Sequence, residues 1–422
     1  MNAAVWDRAQ ADRTPAVGRW SMALAAGAVA MLAIYSQGWV YPLFGEGPGV
    51  VAASGLIRAL FFPAYLMGFV LIAAAPAQTL RAMARQPFLI AVLLIVAASY
   101  VWSIAPDQTA RRVFAVYCTS LGGIVLAVRY RWSEMAEIMG ACFAILALLS
   151  LAVCLAAPSV GVMQTLFPGA WRGLWAEKNA FGANMGLGFV IFVAAAALNA
   201  PRRGLWIAFA VLALGLVLMS TSKTSLVSLL LGLGGFALAA FARRGPAAGV
   251  AAAWVSVFGL LLVAGAFLFS ADTVLAVLGK DATLTGRTQI WTAAMRQVAE
   301  RPLTGFGYGT VWGESGPWGP LAKIVSEAGF KPNHAHNSWV EQWLGTGIVG
   351  LVAFSLTFAQ AVVLCVVAVF RDRGAMLAAP ILVVYGLMTF TESVGVVYND
   401  LRWVLFVAIA VKLAWPDREV AA

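Results

Sequence analysis

Apolar residues in this chain fall into long runs, not the strict alternation of strands or the narrow stripes of water-facing helices. About twelve such runs follow one another, near residues 20–40, 56–76, 87–105, 110–128, 136–156, 180–199, 205–220, 224–242, 250–269, 346–370, 376–394 and 400–415. The pattern predicts an all-α polytopic membrane protein with about 12 transmembrane helices. The first run follows Met1–Arg19, which is too long and too mixed in charge for a signal peptide and lacks a convincing cleavage site, so it reads as a retained first helix. No internal repeat, coiled coil or low-complexity linker interrupts the series. Residues 1–422 are therefore expected to form a single integral membrane domain.

Composition supports this reading: 62% of residues are hydrophobic and only 11% charged, more apolar sequence than a globular core absorbs. The formal charge of +10 suggests a nucleic-acid partner until the cations are located. Arginine pairs occupy alternate short loops: Arg81 and Arg85, Arg129 and Arg131, Arg202 and Arg203, Arg243 and Arg244, Arg371 and Arg373. Arg8, Arg13 and Arg19 add to the same side. By the positive-inside bias, this side and both termini face the cytoplasm, and the charge orients helices in the lipid bilayer; no nucleic acid is implied. Cys118, Cys142, Cys154 and Cys365 all fall in apolar runs and read as small core residues, not disulfide partners or metal ligands.

The opposite face holds three conspicuous loops, after the fifth, seventh and ninth runs, and the third extends over about residues 270–337. Within it Arg287, Ile290, Trp291, Ala294, Met295 and Val298 recur at helical spacing, which predicts an amphipathic helix on the bilayer surface or over the bundle. Arg301-Pro-Leu-Thr-Gly-Phe-Gly-Tyr-Gly then breaks it. The loop ends in the two histidines of the chain, His334 and His336. Asn337 and Ser338 are good N-cap residues for the apolar helix that follows, which places His336 at the positive end of that helix. An imidazole there tends to stay neutral and able to accept a proton, or it simply caps a helix at the membrane surface.

Cations on this outer face run against the orientation bias: Arg172 and Lys178 in one loop, Lys223 in the turn Ser220-Thr-Ser-Lys-Thr-Ser, and Arg287. Each alone can snorkel to lipid phosphates. Together they can form an anion site, since guanidinium and ammonium groups give charge-assisted hydrogen bonds to phosphate oxygens. Lys223 is the sharpest case, because it interrupts two apolar runs, where a cation costs roughly 2.5–3.5 kcal/mol.

These residues resemble the O-antigen ligase/polymerase superfamily of bacterial envelope glycosyltransferases. His336-Asn337, nine residues and then Gly347 and Gly350 fill that family's His-Asn and Gly-x-x-Gly pattern. Arg287-Thr-Gln-Ile-Trp through Arg301-Pro-Leu-Thr-Gly-Phe-Gly-Tyr-Gly is similar to its Arg-helix followed by RPxxGxGxG. The turn at Lys223 resembles its Ser-Arg turn with Lys in place of the usual Arg, a departure that bears on bidentate phosphate contact. Glu177-Lys178-Asn179 and its surroundings resemble the exopolysaccharide polymerase branch. The resemblance covers about residues 170–355; the first four runs match only in hydrophobicity.

The resemblance implies a polysaccharide polymerase in the bacterial inner membrane, with residues 270–337 as a periplasmic catalytic loop. Its donor would be an undecaprenyl-diphosphate-linked oligosaccharide and its acceptor another glycan. His336 would be general base, with Arg287 and Lys223, joined by Arg172 and Lys178, on the leaving diphosphate. His334, Asn337, Asn179 and Tyr308 stand as acceptor contacts or supporting residues, and His334 reads as a loop residue or contact in preference to a base. The resemblance implies no cofactor, nucleotide sugar or metal ion. A flippase and a chain-length regulator of the same pathway are its candidate protein partners. Glu177, Glu314 and Glu327 read as solvated or structural, and Trp312, Trp318, Trp339 and Trp343 read as an interfacial belt before sugar-stacking faces.

Two rivals remain: a ligase moving finished glycan onto lipid A-core or protein, and a transporter or lipid-linked-sugar flippase. Transporters place ionisable groups near the bilayer midplane. Here Arg58 and Glu392 lie near the outer ends of runs and Lys412 near an inner end, so transport ranks behind transfer, and a scaffold behind both. The orientation is open to direct test. Cysteine introduced near Gly316 should react with an impermeant thiol reagent from outside the cell, and cysteine near Gly245 should react only after the membrane is opened. The reverse labelling would invert the topology.

Overall fold

The structure, a computed structural model, describes residues 19–47, 50, 52–277, 286–313, 316–415 and 417. Arg8, Arg13, Glu314 and residues 278–285 of the long loop lie outside the described residues, as does the side chain of Arg19. The principal helices are α1 (Arg19–Tyr35), α2 (Ser54–Ala73), α3 (Pro76–Ala84), α4 (Pro87–Trp102), α5 (Pro106–Arg129), α6 (Trp132–Ala156), α7 (Lys178–Leu198) and α8 (Arg203–Met219). They continue with α9 (Lys223–Ala242), α10 (Pro246–Val277), α11 (Arg287–Glu300), α12 (Pro320–Ala328), α13 (Ser338–Arg371), α14 (Ala375–Thr391) and α15 (Leu401–Ala414). Among the described residues the only β pairing is an isolated antiparallel bridge between Val162 and Trp171.

Each of the twelve apolar runs lies on a helix, but not every helix has the length of a span. Among the described residues seven are long and apolar enough to cross a membrane: α2, α5, α6, α7, α8 with its leading turn, α9 and α13. The pair α3–α4 makes an eighth if it is one span, and it is bent by 94°. The bend follows from sequence: Pro76 and Pro87 each occupy the first turn of their helix, where a missing N–H costs nothing, and neither can continue the helix before it. The buried Gln86 at the bend donates to the Ala410 carbonyl at 2.8 Å. The run expected to start at residue 346 begins earlier, at Ser338, and is kinked at Gly347.

Two helices are covered nearly all round. From Trp403 to Lys412 every residue of α15 is buried, and α7 is the next most enclosed. The surrounding helices expose rows of large apolar residues, such as Leu230 and Leu231 on α9 and Leu261 and Leu262 on α10, the surface a lipid phase covers. Glycines set the closeness of the inner packing: Gly182 of α7 lies against Ser220 and Ser225, and Gly232 of α9 lies against Val190 and Val384.

The amphipathic helix expected near residue 290 is α11, with a corrected inner face. Ile290, Ala293, Ala294, Gln297 and Val298 are buried, whereas Met295 points outward. It rests on the bundle, where Ala294, Val298, Phe306, Ile324 and Leu344 form a second small core separate from the main one.

The glycine-rich stretch after α11 interlocks with the kink of α13. The N–H groups of Phe306 and Gly307 donate to the carbonyls of Leu344 and Gly345 at 2.8 and 3.0 Å, and the N–H of Ile348 donates to the Pro302 carbonyl at 2.9 Å. Those acceptors and donors are available because the helix is broken there: Gly347 has φ 68° and ψ −170°, a conformation essentially confined to glycine. A Cβ at Gly347 would also collide with the Leu303 carbonyl. Gly347→Ala should therefore lower stability by roughly 2–4 kcal/mol. Gly345→Ala, whose Cβ would meet nothing nearer than 3.6 Å, should be much milder. Apparent melting temperatures of the two purified variants in one detergent test the contrast.

Candidate active site

The start of α13 is set by its own residues. Asn337 is the N-cap: its side chain accepts from the N–H groups of Trp339 and Val340 at 2.9 and 3.2 Å. Ser338, also a candidate cap, does something else. Its hydroxyl donates to the Glu392 carbonyl and accepts from the N–H groups of Val394 and Gly395, each at 2.9 Å. Gln342, one turn on, donates to the Gly395 carbonyl at 3.0 Å. The first turn of α13 thus clasps the α14–α15 loop and fixes where Glu392 sits.

His336 projects from the residue before the cap. Its Nδ1 lies 3.2 Å from Glu392 Oε2, and the other oxygen of that carboxylate lies 3.2 Å from Arg287 Nη2. Arg287 also donates to the Thr391 carbonyl. Burial works to raise the Glu392 carboxyl, but the His336 hydrogen bond and charge, with the guanidinium groups of Arg287 and Arg402, outweigh it and hold the group down at about 2. An ionised Glu392 assigns a proton to His336 Nδ1, and in the neutral ring this leaves the accepting lone pair on Nε2. His336 keeps φ at 50°, a left-handed conformation that is costly for a residue with a Cβ. Its ring is 32% exposed.

His334 has a different environment. Its Nδ1 accepts from the His336 backbone N–H at 3.3 Å, so its own proton is on Nε2. Burial, followed by repulsion from His336, pushes its pKa down to about 4 against the pull of Glu392. The segment between the histidines is pinned from two sides: the Trp291 indole donates to the Ala335 carbonyl at 2.8 Å, and the Ala335 N–H donates to Glu341 Oε1 at 2.6 Å. Glu341 also accepts from the Trp312 indole and the Ser393 hydroxyl, at 2.7 and 2.9 Å. Three loop donors thus hold this carboxyl.

Lys178, Asn179 and Lys223 form a neighbouring group at the starts of α7 and α9. Lys178 donates to Thr221 Oγ1 at 3.2 Å and lies over the Phe167 ring, and Asn179 Oδ1 accepts from the Ser222 hydroxyl at 2.9 Å. Lys223 is exposed in the first turn of α9, after the Ser222 cap. Helices α9 and α14 run antiparallel: Gly232 faces Val384 and the Pro380 carbonyl, and Gly235 faces Val383 and the Ala379 carbonyl. Glu392 and Ser393 follow the C-terminal end of α14, and Lys223 opens α9, the helix packed on it.

Two of the expected site residues are occupied elsewhere. The Arg172 guanidinium donates to the carbonyls of Val160, Ser159 and Ala176 and pairs with Glu46 at 3.3 Å, stacked over Tyr41, so it braces its own loop. Tyr308 is buried, with its hydroxyl donating to the Val396 carbonyl at 2.7 Å, which supports the Glu392 loop from beneath. Of the four tryptophans, Trp312, Trp339 and Trp343 anchor loops and helices through their indole N–H groups, and Trp318 is 86% exposed.

Glu392, Glu341, Ser338 and Ser393 are the residues that sequence reasoning missed. A signal existed for the carboxylates. The cost of a charge among apolar runs singles out Lys223, and it applies equally to Glu341 and Glu392 at the ends of theirs.

An imidazole paired to a carboxylate and a guanidinium thus stands at one end of the apolar helical bundle of a multi-pass membrane protein. Residues 208–355 match the family described as O-antigen ligase. The exopolysaccharide production protein ExoQ of Rhizobium meliloti (strain 1021) is 32% identical over 200 residues, 45% of this chain and 45% of that protein. The match thus spans less than half the length of that relative. Both findings support a place for this chain in the O-antigen ligase/polymerase superfamily. The family match contains Lys223, Arg287, His334, His336, Gly347 and Gly350 and stops short of Glu392.

The histidine environment has a pH signature. An unfolded His334 takes its proton near 6.5 and the folded one only near 4, so between those values the unfolded chain binds more protons. The stability contributed by neutral His334 is present above pH 6.5 and is lost as pH falls toward 4. His334→Gln should spare about 1–2 kcal/mol of the acid loss at about pH 5. Thermal unfolding of wild type and variant from neutral pH down through this window checks it; parallel curves would remove the assignment.

Proposed function

We propose that this protein is a polysaccharide polymerase that transfers glycan from an undecaprenyl-diphosphate-linked oligosaccharide to a hydroxyl of another glycan, at the periplasmic face of the bacterial inner membrane. The observation that carries the reading is the Glu392 carboxylate shared between His336 and Arg287, which puts a proton acceptor directly beside an anion-binding group. In this reaction the acceptor oxygen bonds to the anomeric carbon as the bond to the diphosphate oxygen breaks. The acceptor proton passes to His336 Nε2, and the bonding pair leaves with the lipid diphosphate. Glu392 holds the imidazole in the tautomer that accepts, then stabilises the imidazolium. The leaving group gains negative charge as it departs, so cations fixed in advance favour the transition state over the ground state.

Arg287 has donors beyond those it gives to Thr391 and Glu392, and a guanidinium can bind phosphate and carboxylate at once. Lys223 supplies a further point charge at the start of α9, with Lys178 beside its turn. His334, Asn337 and Asn179 shape the backbone and hydroxyl network around the reacting groups, and Arg172 and Tyr308 brace the loops that carry them.

A ligase reading is favoured by the family description itself, whereas the exopolysaccharide relative favours polymerisation. The glycan left on lipid carrier in cells lacking the protein separates the two: single repeat units for a polymerase, finished polymer for a ligase. Cytoplasm-facing units would instead support a flippase. For the mechanism, purified protein in nanodiscs is supplied with lipid-linked repeat units and scored for donor binding and elongation. His336→Ala and Glu392→Gln should each lower elongation on the order of 10²–10⁴-fold with donor binding retained. Arg287→Ala and Lys223→Ala should weaken donor binding and transfer together, and Lys223→Arg should keep much of both. Wild-type elongation by His336→Ala would remove the base.

A further inference from the structure

Beyond the histidine cluster, α11 carries a second polar surface. Arg287 and Trp291 face the cluster, while Thr288, Thr292 and Arg296, one helical turn apart, line a groove closed on its far side by Glu327 of α12. The groove has a volume of about 400 Å³, within the roughly 300–1,000 Å³ of small-molecule sites. It begins at the residue next to Arg287 and extends to Arg296, roughly 12 Å at 1.5 Å per residue.

Its chemistry is selective. Arg296 pairs with Glu327 at 3.4 Å, so the groove presents a balanced fork of donors and acceptors in place of a net charge. Two threonine hydroxyls and the Gln289 amide add short polar groups. Phe330 is 42% exposed and lies against Gly286 within reach of the Gln289 side chain, which places an apolar ring at the end nearest the histidines. Planar amide and guanidinium–carboxylate groups match adjacent hydroxyls, and an aromatic face matches the C–H face of a pyranose. A lipid chain would find too few apolar contacts here and an anion no unpaired cation.

We propose that the α11–α12 groove is a binding site for an oligosaccharide strand, which it guides to or from the His336 cluster. The proposal rests on the transferase reading for what the strand is, but the groove can be tested without transfer. The probe is a set of soluble oligosaccharides made by partial acid hydrolysis of the host's own exopolysaccharide, titrated into the full-length protein in nanodiscs. Wild type should bind them, and Thr292→Trp, which fills the groove from an exposed position, should weaken binding at least tenfold. Arg296→Ala, which opens the fork without adding bulk, should weaken it less. Binding of undecaprenyl diphosphate lacking sugar should be unchanged in both.

In the elongation assay, a raised KM for the lipid-linked donor alone would assign the groove to the donor's glycan. A raised KM for the acceptor alone would assign it to the acceptor, and either result supports the site. Oligosaccharide binding that is absent from wild type, or unchanged in Thr292→Trp, overturns it. Wild-type binding without any transfer would leave the groove standing and overturn the transferase reading instead.

Discussion

The Glu392 carboxylate lies between a guanidinium and an imidazole, and it stays ionised in a half-buried position because both neighbours donate to it. Removing either donor leaves a carboxylate with fewer partners in a poorly solvated place, which is unfavourable by several kcal/mol in buried pairs. The three groups are therefore one unit. The orientation of the imidazole depends on the charge of Glu392, and that charge depends in turn on Arg287. Arg287 is thereby coupled through Glu392 to the imidazole next to it, so that a change of charge at either end is felt at the other.

Precision of this kind needs a rigid frame, and here it comes from backbone, not from a large apolar core. The cap of α13, the hydroxyl of Ser338 and the interlock at Gly347 are successive features of the first turns of that helix, and each fixes a different neighbour. Asn337 fixes the helix start, Ser338 fixes the loop bearing Glu392, and the kink fixes the stretch that returns from α11. Among the described residues, the non-glycine positions with left-handed backbone, Gln37, Thr221, His336, Val396 and Asn399, all lie in loops at this same end of the bundle. Gln37 and Asn399 are bonded directly, at 2.7 Å. Such conformations persist only where surrounding contacts over-determine them, and here those contacts are the hydrogen bonds that hold the site.

Much of this was legible in the sequence because bilayers impose a simple rule: apolar runs become helices, and polar residues outside the bias need a partner. That rule found the helical runs, the α11 helix and the Asn337 cap. It failed where the answer depended on register between distant segments. Glu392 is separated from His336 by 56 residues and from Arg287 by 105, so no local pattern joins them. Met295 was placed on the inner face of α11 because its hydrophobicity fits the stripe, whereas Ala293 and Gln297 fill that face against α12 and α13. Arg172 looked like its fellow cations because charge is visible in sequence, while the three carbonyls it serves are not.

The family match ends before the residue that orients the histidine, and this divides the site in two. His336, Arg287 and Lys223 come from the segment that matches the family, while the carboxylate comes from the α14–α15 loop. The shared motif nevertheless reaches across the division. Ser338, immediately after the His-Asn pair, holds Glu392, Val394 and Gly395 through a single hydroxyl, and Gln342 adds Gly395. A hydroxyl that both donates once and accepts twice has no remaining capacity, so its position is fixed by three backbone groups at once. The first turn of α13 therefore does more than present a histidine at a positive helix end. It selects which carboxylate the histidine meets, and so decides which ring nitrogen is left to take a proton.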